Sequence, residues 1–387
     1  MIHQLLRAVL RRAGIPLLAA VAAACSTPPA DAPVVRIGVL ASLTGPRVVM
    51  SGASTRDGAM LAAREINEAG GIDVGGVRHR MEVVLTDIGE GTDMATSAAQ
   101  SLLTRPDIQA IVGPQYSRNA LPVAVLAERV GVPMITPMAS HPDVTAGRRW
   151  VYRIAFTDDV QATALARWAR EGLHARRAAV LYEESASYSR GLTERFAAAF
   201  TQGGGQVVAR EGYTRDRASD FSAALGRLAA AKPDVLLLPN ELPDDTLQIR
   251  QAAAAGLRAP LLLADFVDPN VMSGLPMPGG LFTTHHWYLE GSAPANRAFV
   301  AAFSKVYGHA PNATSAATYD AVRLIADAMH RAGRTTPAAL RDAIAATREF
   351  HGATGTMDFT ARQDPAKRAV VMRLDGGRLV AVREMAP

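Results

Sequence analysis

The chain has 387 residues, 49% hydrophobic and 20% charged, which describes a folded globular protein of about two domains and excludes a disordered one. The formal charge is +5, but Arg7, Arg11 and Arg12 lie in the first two dozen residues, and without them it is +2. With no Lys/Arg block elsewhere, that charge gives little support to nucleic-acid binding. A single cysteine excludes an internal disulfide and a thiolate zinc site.

Residues 1–24 have the three parts of an export signal: the basic start, an apolar segment from Ile15 to Ala24, and small residues before Cys25. The apolar run is too short for a stable transmembrane anchor. Ala22-Ala23-Ala24-Cys25 resembles the lipobox of bacterial lipoproteins, in which the Cys carries the lipid, but departs from it at Ala22, where Leu is usual. A soluble signal cut near Ala24 or Ala30 is the alternative. Residues 25–33, rich in proline, read as an extended tether.

From Val34 onward, short β-branched runs alternate with helical stretches, the pattern of parallel sheets with crossover helices. Strands are expected at 34–41, 81–86, 108–112, 132–135 and 150–156. Helices are expected at 52–69, 92–104 and 117–129. Asp158-Asp159 then reads as the cap of a helix at 161–171. A second series repeats the scheme, with strands at 178–182, 206–212, 234–238 and 261–264 and helices at 189–201, 221–230 and 243–255. Three more helices (294–307, 313–332, 337–346) and three short strands (356–359, 369–374, 379–382) follow, the last two strands joined by Asp375-Gly376-Gly377 as a hairpin. These are too few for a third sheet, so they should complete the first two. Two segments stand out, Ile111-Val112-Gly113-Pro114-Gln115-Tyr116-Ser117 and Met134-Ile135-Thr136-Pro137-Met138-Ala139-Ser140. Each places a hydroxyl just beyond the carboxyl end of a strand, where α/β sheets bind anions.

Several stretches resemble the periplasmic substrate-binding proteins of the leucine/isoleucine/valine-binding type, which serve ABC importers. They are Arg36-Ile37-Gly38-Val39 with Thr44-Gly45-Pro46, Glu65-Ile66-Asn67 with Gly70-Gly71-Ile72, Ile111-Val112-Gly113-Pro114, Pro133-Met134-Ile135-Thr136-Pro137, Arg153-Ile154 with Phe156, Asp220-Phe221-Ser222, and Thr318-Tyr319-Asp320-Ala321. The resemblance implies an α/β fold of two Rossmann-like lobes with parallel sheets, joined by three hinge crossovers near Thr157, His285 and Phe359. Lobe 1 is expected to take 34–156 with 286–358, and lobe 2 to take 157–285 with 359–387. It implies Ser117 and Ser140, with the main chain of Met138, as the carboxylate-binding groups, Asp265 as the partner of the ligand ammonium, and Tyr188 as a cleft-lining residue. Glu241 adds a second acid near Asp265, and the segment Arg47 to Ser51 lacks the aromatic that relatives often carry there. The implied partners are an amino acid or related small carboxylate, an inner-membrane ABC permease, and the membrane through a lipid on Cys25. The receptor is expected in the periplasm as a monomer, without cofactor or metal.

The residues also admit plainer roles. Ser117 suits a helix cap, Ser140 a turn hydroxyl, Asp265 a loop bond, Tyr188 a packing residue and Glu241 a solvated position. A ligand sensor of the same fold is the alternative to a transport receptor. No HExxH, GxSxG, P-loop or EF-hand pattern is present, so an exported hydrolase lacks its machinery. Adjacent His285 and His286 on a strand would point to opposite faces and share no metal.

Overall fold

The computed structural model describes residues 28, 31–45, 48–214, 220–240, 244–265, 267, 269–359 and 363–385. The leader with Cys25, most of the tether, and Glu241 lie outside the described residues.

The chain opens with β1 (Val34–Ala41), α1 (Ala53–Glu68), β2 (Ile72–Val74), β3 (Val77–Asp87), α2 (Thr92–Leu103), β4 (Ile108–Val112), α3 (Ser117–Val130), β5 (Met134–Thr136) and β6 (Val151–Arg153). These strands form one sheet in the order β2-β3-β1-β4-β5-β6, parallel except for the edge strand β2. Next come α4 (Asp158–Glu171), β7 (Arg177–Glu183), α5 (Ser187–Gln202), β8 (Gln206–Tyr213), α6 (Ser222–Ala230), β9 (Val235–Leu238), α7 (Asp244–Ala254), β10 (Leu261–Leu263), α8 (Pro269–Met272) and β11 (Leu281–His285). The chain closes with α9 (Pro294–Tyr307), α10 (Ala313–Ala332), α11 (Pro337–Ala345), β12 (Phe350–Gly352), β13 (Gly355–Met357), β14 (Ala369–Asp375) and β15 (Arg378–Met385).

The second sheet runs β15-β14-β11-β10-β9-β7-β8. Its parallel part repeats the order of the first: in each, the strand that opens the series is flanked by the second and third parallel strands. That order creates a switch point, beside β1 and β4 in one sheet and beside β7 and β9 in the other, where neighbouring loops diverge and leave a crevice. β14 and β15 extend the second sheet antiparallel, as the hairpin signal indicates.

The cores follow the sheets. One apolar cluster joins Ile37, Tyr152, Ile154, Trp287, Phe299, Leu324 and Phe359, so α9 and α10 pack on the first sheet. Another joins Phe156, Leu165, Phe196, Val235, Phe282, Ala369 and Val371. The chain therefore passes between cores three times, from Ile154 to Phe156, from Phe282 to Trp287, and from Phe359 to Ala369.

Some local expectations change. The run 150–156 is a strand only over Val151–Arg153, because it lies at a sheet edge and its later residues turn toward the other sheet. Strands β2, β11 and β12 and the short α8 were not expected as elements; β2 is three residues long and forms a hairpin over Gly75 and Gly76, both at positive φ. The strand near 356–359 joins neither sheet and pairs with β12 in a separate ribbon.

Helices α1 and α10 pack at Gly58. A Cβ built there would lie 2.3 Å from the carbonyl oxygen of Ser315, a backbone atom that cannot swing away. Gly58→Ala should destabilise the protein by about 1–3 kcal/mol despite alanine's better helix propensity. Urea unfolding of the variant beside the wild type checks this.

Candidate functional site

The site begins at the carboxyl ends of β4 and β5. Ser117 is the first residue of α3 and 6% exposed. It does not cap the helix: the capping position belongs to Tyr116, whose side chain makes no cap bond. Ser117 Oγ instead accepts the main-chain N–H of His141 at 3.3 Å, which ties the start of α3 to the segment holding Ser140. Thr136 fixes that segment from below, donating to the carbonyl of Pro114 at 2.7 Å and accepting from the N–H of Ala139 at 3.3 Å. Met138 is buried with its side chain in the first core, leaving only its backbone for a shelf. The two serines are thus held side by side.

Arg153, fully buried at the end of β6, locks this shelf. Its guanidinium donates to the carbonyl of Ala139 at 2.7 Å, the carbonyl of His141 at 3.0 Å and the hydroxyl of Thr145 at 2.7 Å. Nε pairs with Asp364 at 2.5 Å, in the third passage between cores. A buried charge is tolerated only when its donors are matched in this way. The sequence displayed Arg153 only as part of a family-like stretch, because nothing local reveals that its partners lie at 139–145 and 364.

The second half lies across from the shelf. Tyr188, in the first turn of α5, and Asp265, just after β10, are both buried and joined by a 2.8 Å hydrogen bond. The same phenol lies 2.8 Å from Gln161 Oε1. One hydroxyl has one proton, so it donates to Asp265; turning the Gln161 amide brings Nε2, which has no other partner among the described residues, onto the phenol oxygen. Tyr188 also belongs to the second apolar core, so it packs there as well as making these polar contacts. Burial and the neighbouring Asp265 both hold its hydroxyl in the protonated form.

Asp158 connects the halves, and sequence reasoning misplaced it. It was expected to cap α4, but Thr157 holds that position and Asp158 is the first helical residue, fully buried. Its N–H donates to the carbonyl of Ser140 at 2.9 Å. Neither carboxylate oxygen has a hydrogen-bond partner of good geometry among the described residues, although the Ser140 hydroxyl lies near enough to favour the charged form. Burial pushes its carboxyl up to about 7; Ser140 and Arg153 oppose that shift, and the charge of Asp265 adds to it. The available signal was Asp158 with Gln161, i and i+3 on one helix face.

Two carboxylates, a phenol and an amide thus sit beside a shelf of two serine hydroxyls in a largely water-excluded region. Such a set can hold a small molecule carrying a carboxylate and an ammonium, each end meeting opposite or donor groups. Among the described residues no group of three or more His, Cys, Asp or Glu is arranged to hold a metal ion. Nor is any described helix long and apolar enough to cross a membrane.

Two doubly wound sheets passing the chain between them three times, with a polar cluster at their carboxyl edges, define the class of hinged solute receptors. Residues 34–378 match the family model described as periplasmic binding protein, and the chain belongs to that family, in its leucine/isoleucine/valine-binding type. It is 30% identical over 357 residues to Leu/Ile/Val-binding protein homolog 3 of Brucella melitensis, covering 90% of this chain and 93% of that protein. The crystal structure of the leucine-binding protein LivK from Thermotoga maritima superimposes with a TM-score of 0.83 at 31% identity, covering 92% of this chain and 99% of that one. LivJ of Streptococcus pneumoniae, a branched-chain amino acid transporter substrate-binding protein solved with isoleucine, gives a TM-score of 0.81 at 26% identity, covering 92% and 100%.

The buried Asp158 makes stability depend on pH. Its folded-state pKa is raised, so it carries no penalty below about 4, where both states are protonated, and imposes an increasing one as pH rises toward about 7. Asp158→Asn should therefore gain stability relative to the wild type across that window, by about 1–4 kcal/mol at pH 8 and little at pH 4. Denaturant melts of both ligand-free proteins at the two pH values measure the difference.

Proposed function

We propose that the protein is the substrate-binding component of an ABC importer, taking an amino acid of the branched-chain type or a related small amino acid into the crevice between its lobes. The observation that carries the reading is the buried pair Asp158 and Asp265 beside the Ser117/Ser140 shelf. Two like charges in a dry site raise each other's cost, and an ammonium placed between them relieves it. The hydroxyls, with the backbone at Met138, supply donors for the ligand carboxylate. Tyr188 orients Asp265 and covers the ammonium end. The branched-chain assignment comes from the named relatives, whose sequences align over nearly the whole chain.

The lobes close because the ligand binds them together. Its anionic end rests on residues 117–140 and its cationic end on Tyr188 and Asp265, so only a zwitterion of suitable length satisfies both. Release of the ligand to a membrane permease requires the lobes to part, at the three passages between the cores.

In the same reading the leader exports the chain to the periplasm and Cys25 carries a lipid that holds it at the membrane, with residues 26–33 as the tether. The receptor acts as a monomer.

Asp265→Ala should weaken amino-acid binding by roughly 2–5 kcal/mol, the cost of leaving a buried ammonium unpaired, and Ser140→Ala by about 1–3 kcal/mol. Calorimetric titration of both variants with leucine, isoleucine, valine and alanine reads the losses, and unchanged affinity in Asp265→Ala would remove the ammonium assignment. Cys25→Ser should move the protein from the membrane to the soluble periplasmic fraction; equal fractionation of variant and wild type would instead place the cleavage elsewhere.

A further inference from the structure

A second cavity, of about 440 Å³, is lined by none of the serine-shelf residues and lies between residues 286–296 on one side and 353–358 and 366–370 on the other. Its most buried titratable groups are Lys367 and His286, 4% and 5% exposed. Lys367 Nζ donates to the hydroxyl of Thr354 at 2.5 Å, and Thr354 in turn donates to the buried Asp320 at 2.6 Å. Asp320 also accepts the N–H groups of Ala353 and Thr354. That arrangement explains Asp320 fully but uses one of the three ammonium donors of Lys367. His286 stands edge-on to Phe156 with both ring nitrogens lacking a partner among the described residues. Such polar groups beside a cavity large enough for a small molecule are a cost that a ligand can remove.

The chemistry of the ligand follows from the lining. Burial lowers the basicity of both groups, Lys367 to about 7 against the opposing pull of the Asp320 charge, and an anion between them would reverse that. At the rim Arg368 pairs with Glu384 at 3.4 Å, and Asp358 adds an acid, so a doubly charged headgroup is disfavoured. Trp287, Ala293 and Val370 supply apolar wall. We propose that this cavity is a second binding site, for a small monocarboxylate whose headgroup meets Lys367 and His286 and whose short apolar tail lies against Trp287 and Val370. Because its walls are the second and third passages between the cores, occupancy there stiffens the hinge independently of the crevice. A ligand without an ammonium group suits this site and is poorly matched to the acidic pair Asp158 and Asp265, which separates the two.

Titration of the mature protein with butyrate by calorimetry tests the site, with n-butanol and inorganic phosphate as controls. The expected result is saturable one-to-one binding of butyrate, weakened at least tenfold in Lys367→Met, in His286→Phe and in Thr356→Trp, and retained in Ser140→Ala. Thr356→Trp blocks the mouth from an exposed position, so it reports on the site even where a core substitution fails to fold. Absence of saturable butyrate binding overturns the proposal, as does its loss in Ser140→Ala with retention in His286→Phe. Tighter binding of phosphate or of butanol overturns the monocarboxylate assignment.

Discussion

The guanidinium of Arg153 is the constraint on which the serine shelf depends. It is fully buried, and its contacts reach Ala139, His141 and Thr145 in the loop after β5 and Asp364 in the last passage between cores. Removing it would leave the buried carbonyl oxygen of Ala139 and the hydroxyl of Thr145 without their donor, and the partly exposed Asp364 without its cation, a loss of several kcal/mol by general experience with buried charges. The same contacts couple the shelf to the hinge. A rotation of one lobe against the other that moves residues 363–364 is felt directly at the backbone of Ser140, through Gln363, whose carbonyl accepts the N–H of Arg153, and through Asp364.

On that frame the crevice has an uneven electrostatic character. One side offers hydroxyls; the other places Asp158, Asp265 and Tyr188 within mutual influence. Burying Asp158 is unfavourable in the empty protein: desolvation raises the proton affinity of its carboxyl, and the charge of Asp265 adds to that shift. A site that is strained when empty and relieved by an ammonium binds such a ligand with a preference that hydrophobic contact alone does not supply. The same logic operates at the hinge cavity with the sign reversed, since Lys367 and His286 are basic groups held out of water.

Much of this was legible in the sequence because it is periodic or positional. The alternation of β-branched runs with helices placed β1, β4, α9 and α10 on their observed bounds, and Asp375-Gly376-Gly377 marked the hairpin of β14 and β15. Position beyond the strand ends suggests a ligand role for Ser117 and Ser140, whereas only the family resemblance singles out Asp265. What escaped was either short or non-local. β2 and β12 are three residues each, below the length at which a period of two can be read. The roles of Arg153, Asp158 and Lys367 depend on partners far along the chain, and a buried aspartate at a helix start looks like a cap until its surroundings are known. Ser117 illustrates the converse: its sequence context fits a cap, and tertiary structure gives its oxygen to His141 instead.

The central claim is that the crevice recognises both ends of an amino acid at once. Calorimetry with leucine, its decarboxylated amine and its deaminated acid on one preparation of the protein tests it most directly. The account predicts that leucine binds at least a hundredfold more tightly than either analogue, because each analogue leaves one buried half of the site unmatched. Comparable affinity for leucine and its deaminated acid would contradict the account, since Asp158 and Asp265 would then have no ammonium to serve.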